Sequence, residues 1–214
     1  MAERRLPQDL PMLPRVFRVT ALARREAPRG YAMSARLYHD RAELTAAWTV
    51  QFPDIRLRPG VLVSPRWRAP VSVGDDGQRR ISRLVLLERP ERSTNLFQTV
   101  PTDWVAERTL LDRAAGLWEG LPLPFQELIN TIFWDGSRFE RFCRGPGSLR
   151  GHHHGEGENL RHAVEVAETM LALLPRFPGA HAAVAVTAGL LHDAGKAEDY
   201  EEDLRRPWRL TDWG

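Results

Sequence analysis

Cysteine is almost absent, lysine nearly so, and long apolar runs are missing. Cys143 is the only cysteine in the 214 residues. One thiol cannot form an internal disulfide or a cysteine-built zinc cluster, so a reducing cytoplasm is the expected compartment. No apolar run reaches the roughly 20 residues that a membrane-spanning helix needs, and no membrane partner is expected. The leading segment MAERRLPQDLPMLPR lacks the apolar stretch of a secretory signal. Lys196 is the single lysine among 30 basic residues. With 43% hydrophobic and 27% charged residues, the chain has the composition of a globular protein rather than a disordered or fibrous one.

Charge is distributed unevenly. Residues 1–100 carry 18 arginines against 10 acidic residues, a net of +8, whereas residues 101–214 sum to −6. A basic half joined to an acidic half reads as two domains with different partners. The basic half suits a polyanion such as nucleic acid, and arginines solubilising the outer face of a β-domain explain it equally well.

Between residues 16 and 88 the pattern is of short alternating segments: VFRVTALARRE, YAMSARLYHD, ELTAAWTVQF, VLVSPRWRAPV and RRISRLVLLER. They are separated by turn signals, among them GDDG at Gly74–Gly77. Five strands with excess positive charge predict a small closed barrel of OB type, with an SH3-like barrel as the structural alternative. From Thr102 the periodicity turns helical, with Thr102 or Asp103 as the expected cap of the first helix. The expected architecture is multidomain α and β: a five-stranded OB-like barrel over residues 1–98, a helical linker over 99–148 and an all-α domain from 149 to 214.

Six of the seven histidines lie in the second half: His152, His153, His154, His162, His181 and His192. Val166, Met170 and Leu173 follow His162 at helical spacing, which places its imidazole toward the core face. His192 and Asp193 close the most apolar segment of the chain. A histidine on an apolar face is most often a hydrogen-bonded core residue, but a His-Asp pair opposite a second inward histidine suits a divalent metal. Such a metal polarises phosphoryl oxygens and activates water. His181 is expected at a helix start or facing solvent. Arg66 and Arg68 bracket Trp67, an aromatic-basic run that suits a single strand. Tyr31, Trp48 and Trp67 are expected mainly as core, and Trp104, Trp118 and Trp134 as helix-packing residues.

LRHAVEVAE followed by AGLLHDAGKAEDY resembles the HD superfamily of metal-dependent phosphohydrolases. The resemblance implies that His162, His192 and Asp193 hold the metal. It implies that Lys196 stands near the scissile phosphate, with Asp193 and Lys196 as the catalytic pair. The order of barrel, helical linker, histidine-rich loop and HD motif is similar to the YhaM-type 3′→5′ exoribonucleases. On that likeness His152 and His153 match a paired histidine of the substrate loop. The segment before His162 departs from the family, with Glu158, Asn159 and Arg161 in place of its second glycine, a leucine and an acid.

The family's last metal aspartate lies tens of residues past the His-Asp pair, and Asp199, Asp203 and Asp212 follow too closely to match it. The expectation is therefore an incomplete HD domain: a fragment or an inactivated descendant, with apolar helix surface exposed, little nuclease activity and a tendency to self-associate. The implied function is phosphodiester hydrolysis of single-stranded RNA, or DNA, from the 3′ end. Mn²⁺ is the expected ion, ahead of Co²⁺, Mg²⁺ and Fe²⁺, and Arg66, Trp67, Arg68, His152 and His153 are the expected strand contacts. The alternatives are a conjugative relaxase-like protein with HHH and HD motifs, a nucleotide phosphohydrolase, and a non-catalytic single-strand-binding module with a degenerate HD remnant.

Overall fold

A computed structural model describes residues 13–68, 74, 77–148, 155–202 and 208–212. The histidines at 152–154 lie outside them. Strands β1 (Phe17–Ala27), β2 (Gly30–His39), β3 (Ala42–Val50), β4 (Leu62–Trp67) and β5 (Arg79–Leu86) close into a barrel in the order β1-β2-β3-β5-β4. All neighbours are antiparallel except β3 and β5, which run parallel. Alternation builds the interior: Phe17 and Val19, then Met33, Ala35 and Leu37, then Ala46 and Trp48 point inward with Val63, Ile81 and Leu84. The β1–β2 turn needs glycine at 30, where φ is +116° and an added Cβ would stand 2.3 Å from the Val50 carbonyl oxygen. Gly74 and Gly77 close the expected turn before β5, with the Gly77 amide donating to the Gly74 carbonyl.

Helices α1 (Arg108–Glu119), α2 (Leu123–Phe133), α3 (Gly136–Arg144), α4 (Glu158–Leu173), α5 (Ala182–Leu191) and the short α6 (Lys196–Asp199) follow. Two-residue strands β6 (Tyr200–Glu201) and β7 (Arg209–Leu210) pair at the end. No helix among the described residues is long and apolar enough to cross a membrane.

The first helix starts at Arg108, not at the expected Thr102 or Asp103 cap. The amides of Trp104 and Val105 both donate to the Pro101 carbonyl, forming a turn that delivers these two side chains to the core. Burial of Trp104 outweighs the local cap preference.

Barrel and helices share a continuous core in which Val16 and Leu62 of the barrel pack with Leu96, Phe97, Phe139 and their neighbours. Arg18 crosses this junction fully buried. It donates to the Thr99 carbonyl (3.1 Å), the Thr99 hydroxyl (2.9 Å) and the Gly60 carbonyl (2.6 Å). Its guanidinium lies 4.8 Å from the Trp104 ring centre and 5.2 Å from that of Phe139. Burial lowers the Arg18 pKa to about 10. Backbones meet here too: a Cβ on Gly136 would stand 2.1 Å from the Gly60 oxygen.

The buried stripe of α4 differs from the expected one. Leu160, Ala163, Val164 and Ala167 are buried, whereas Met170 and Leu173 are 38% and 40% exposed. At Ala167 the approach of Gly189 from α5 leaves no room for a larger side chain. His162 therefore sits at the margin of the stripe, half-buried rather than in the core.

Candidate metal centre

His162 is presented by the second turn of α4, and His192 and Asp193 by the end of α5 and the turn after it. The two helices are antiparallel neighbours, so the start of one meets the end of the other. The imidazole rings of His162 and His192 lie 5.1 Å apart, edge to face. Asp193 Oδ2 is 3.3 Å from His192 Nε2 and 3.7 Å from His162 Nε2. One ligand atom from each residue falls within 4.8 Å of the others. The same Oδ2 accepts from Lys196 Nζ at 2.7 Å, and that ammonium also donates to the Gly147 carbonyl at 2.6 Å.

The chemistry of this donor set fits a divalent cation. His192 Nδ1 lies 2.8 Å from the Gly189 carbonyl oxygen. A carbonyl only accepts, so Nδ1 donates to it, and the ring is oriented with Nε2 facing Asp193. Imidazole nitrogens and a carboxylate brought together are the donor types that hold a divalent cation. Ligands about 2.1 Å from a transition-metal ion stand at most about 4.2 Å apart. Both Asp193–His separations fall inside that limit, and the three atoms, which together span up to 4.8 Å, would draw slightly closer around an ion. The helical His and the His-Asp pair converge as the sequence pattern requires. Lys196 belongs to the cluster too, holding Asp193 and the Gly147 backbone.

Neither a protein family, nor a curated protein, nor a solved structure matches this chain. The functional reading therefore rests on geometry and on the sequence resemblance.

The proposed strand contacts on the barrel separate into different environments. Arg66 and Arg68 are exposed, but Trp67 between them is half-buried and packs against the barrel core. The pairing of β4 with β5 is irregular between Arg66 and Trp67, and Arg68 lies past the end of β4. Trp67 packs inward while both arginines are exposed, so the three do not form one interleaved surface. A cleft of about 420 Å³ opens instead beside β1, β2, β3 and β5, with Arg24, Arg25, Arg68 and Arg80 around it and Met33, Trp48 and Ile81 among its lining residues. Of the expected trio only Arg68 reaches it. Arg24 stacks on Tyr31, 5.3 Å from the ring centre. The Arg24–Arg25 doublet was visible in the sequence, but nothing there tied it to residues 68 and 80.

The remaining candidates are structural. Trp48, Trp104 and Trp118 are buried, and Trp134 is half-buried with its indole N–H donating to the Leu87 carbonyl. His181 occupies the position before α5, exposed and stacked on Phe125. Cys143 is fully buried, and burial pushes its thiol pKa well up, which leaves it an inert core residue. His152 and His153 fall outside the described residues.

Proposed function

We propose that this protein is a metal-dependent phosphodiesterase of HD type acting on single-stranded nucleic acid, RNA ahead of DNA, from the 3′ end. The observation that carries the proposal is the convergence of His162, His192 and Asp193 within 4.8 Å. The ion, Mn²⁺ by preference, would be held by these three residues. When bound it supplies Lewis-acid polarisation of a phosphoryl oxygen and activation of water at neutral pH.

The residues of the chain do the positioning. Gly189 fixes the His192 ring orientation through its carbonyl. Lys196 anchors the Asp193 carboxylate, and its ammonium stands where it offsets negative charge on a phosphate brought to the site. The closed five-stranded barrel with parallel β3 and β5 supports an OB-like reading, and its arginine-rimmed cleft is the surface on which a strand would lie.

One carboxylate against a divalent cation makes a weak centre, so turnover is expected to be slow. The test is incubation of the purified chain with end-labelled single-stranded RNA and DNA, with Mn²⁺ and with chelator. Slow shortening from the 3′ end, abolished by chelation and by Asp193→Ala, is the expected result. Strand binding without shortening under any divalent metal would overturn the hydrolytic reading in favour of a non-catalytic binding module. The Lys196 ammonium already seated on the site's carboxylate is the observation that favours that alternative.

A further inference from the structure

The metal centre needs two helices to hold their ligands at fixed separation, and one residue at their crossing governs that separation. We infer that Gly189 is a positioning residue for the centre, setting both the distance between α4 and α5 and the orientation of His192. This rests on the reading of His162, His192 and Asp193 as metal ligands.

The first part of the argument is steric. Gly189 is buried on α5 against the backbone of α4. A Cβ added there would stand 2.5 Å from Ala167 Cα, 2.8 Å from Ala167 N and 2.9 Å from Ala167 Cβ. Carbon atoms pack at about 3.5–4.0 Å, so a methyl group at 189 demands a separation of about 1 Å. The obstruction is main chain, which cannot rotate away as a side-chain tip can. Trimming Ala167 to glycine would leave Cα and N in place, so the close approach depends on position 189 itself. The helices must part or shear.

The second part is the lever. Gly189 lies three residues before His192, less than one helical turn, and Ala167 lies five residues after His162. A shift at the crossing is therefore delivered to the ligands almost undiminished. Metal sites tolerate ligand displacements of about 0.2 Å, several-fold less than the shift expected. The third part is the hydrogen bond: the Gly189 carbonyl accepts from His192 Nδ1 and so directs Nε2 at Asp193. One glycine thus controls spacing through its missing side chain and ring orientation through its backbone carbonyl.

Gly116 is the natural contrast. It also lies within a helix, α1, but a Cβ there meets nothing within 4 Å. Its replacement by alanine should be silent at the centre.

The experiment titrates Co²⁺ into the full chain and follows both affinity and the visible absorption of the bound ion. Gly189→Ala is expected to weaken binding by about 10-fold or more and to change the absorption bands, because it displaces the ligands by an effect comparable to disturbing an outer partner. Ala167→Ser adds an atom at the same crossing and is expected to weaken binding less; it carries the test if Gly189→Ala does not fold. Ala114→Gly in α1 is the stability control, expected to lower Tm with affinity and spectrum unchanged. Wild-type binding with Gly189→Ala and Ala167→Ser both folded and indistinguishable from it would overturn the inference alone. No Co²⁺ or Mn²⁺ binding by the wild-type chain would remove the metal reading and this inference together. Equal loss in Ala114→Gly would reduce the role of Gly189 to stability and overturn it as well.

Discussion

Asp193 Oδ2 lies 2.7 Å from the Lys196 ammonium and faces two imidazole nitrogens at 3.3 and 3.7 Å. Removing its charge while keeping its shape separates ligation from folding. In Asp193→Asn the amide oxygen still accepts from Lys196, so the partly exposed pair should cost no more than about 1 kcal/mol of stability. Mn²⁺ binding, in contrast, should fall by about 100-fold or more, because the only carboxylate of the cluster is gone. Calorimetric titration with Mn²⁺ beside a thermal melt checks both halves; a large Tm loss with metal affinity intact would reverse the roles. The cluster was legible in the sequence because ligand-type side chains are few and the His-Asp pair follows an apolar helix. What could not be read was the partner of Lys196 on its other side. Gly147 contributes a carbonyl oxygen, which every residue has, so no side chain marks it.

At the scale of elements, strands were more legible than helix faces. Alternation places one side chain in two inward, and the five barrel segments read from the sequence fall on β1–β5. The stripe on α4 was misplaced because large apolar residues dominate periodicity counts. Close helix crossing rewards small ones, here Ala167 against Gly189. Helix α3 shows an end that is set by chemistry. Asp135 accepts from the Ser137 hydroxyl at 2.5 Å and the Arg138 amide at 2.9 Å, capping the helix that carries Phe139 and Phe142 into the core. The Ser137 hydrogen bond first, and the backbone amide second, hold its carboxyl below the usual aspartate range. A carboxyl with a lower pKa folded than unfolded contributes stability above the unfolded value and loses it as pH falls through the folded one. Asp135→Ala should therefore cost about 1 kcal/mol in urea denaturation at neutral pH and progressively less below the aspartate range. An equal cost at acid pH would exclude the charged cap as the cause.

On the scale of the whole molecule, the charge asymmetry of the sequence meets a junction that the sequence did not reveal. Arg18 reads as one more barrel arginine, yet it is fully buried beneath Trp104 and Phe139, with Thr99 and Gly60 as its partners. Nothing in a linear pattern separates a buried arginine from an exposed one; only the convergence of distant carbonyls does. Among the exposed arginines of the basic half, Arg24, Arg25 and Arg68 are gathered around the cleft. Each phosphate neutralised on a single strand contributes about −0.7 to the slope of log affinity against log salt. If a strand occupies the cleft, Arg24→Ala, Arg25→Ala and Arg68→Ala combined should flatten that slope by about 2. Arg113→Ala is the counterpart on α1, where the side chain is already paired with Glu168. It should leave the slope unchanged, although it too removes a positive charge, one against the three of the cleft variant. Fluorescence anisotropy with a labelled single-stranded RNA across a salt series measures both. Equal flattening per charge removed by the two variants would mean that net charge alone governs binding, and the cleft would have no special part in it. An unchanged slope in the triple variant would place the strand elsewhere on the basic half. The expected pattern, loss confined to the cleft variant, would make the barrel the strand-holding part of a molecule whose candidate metal centre lies among the helices.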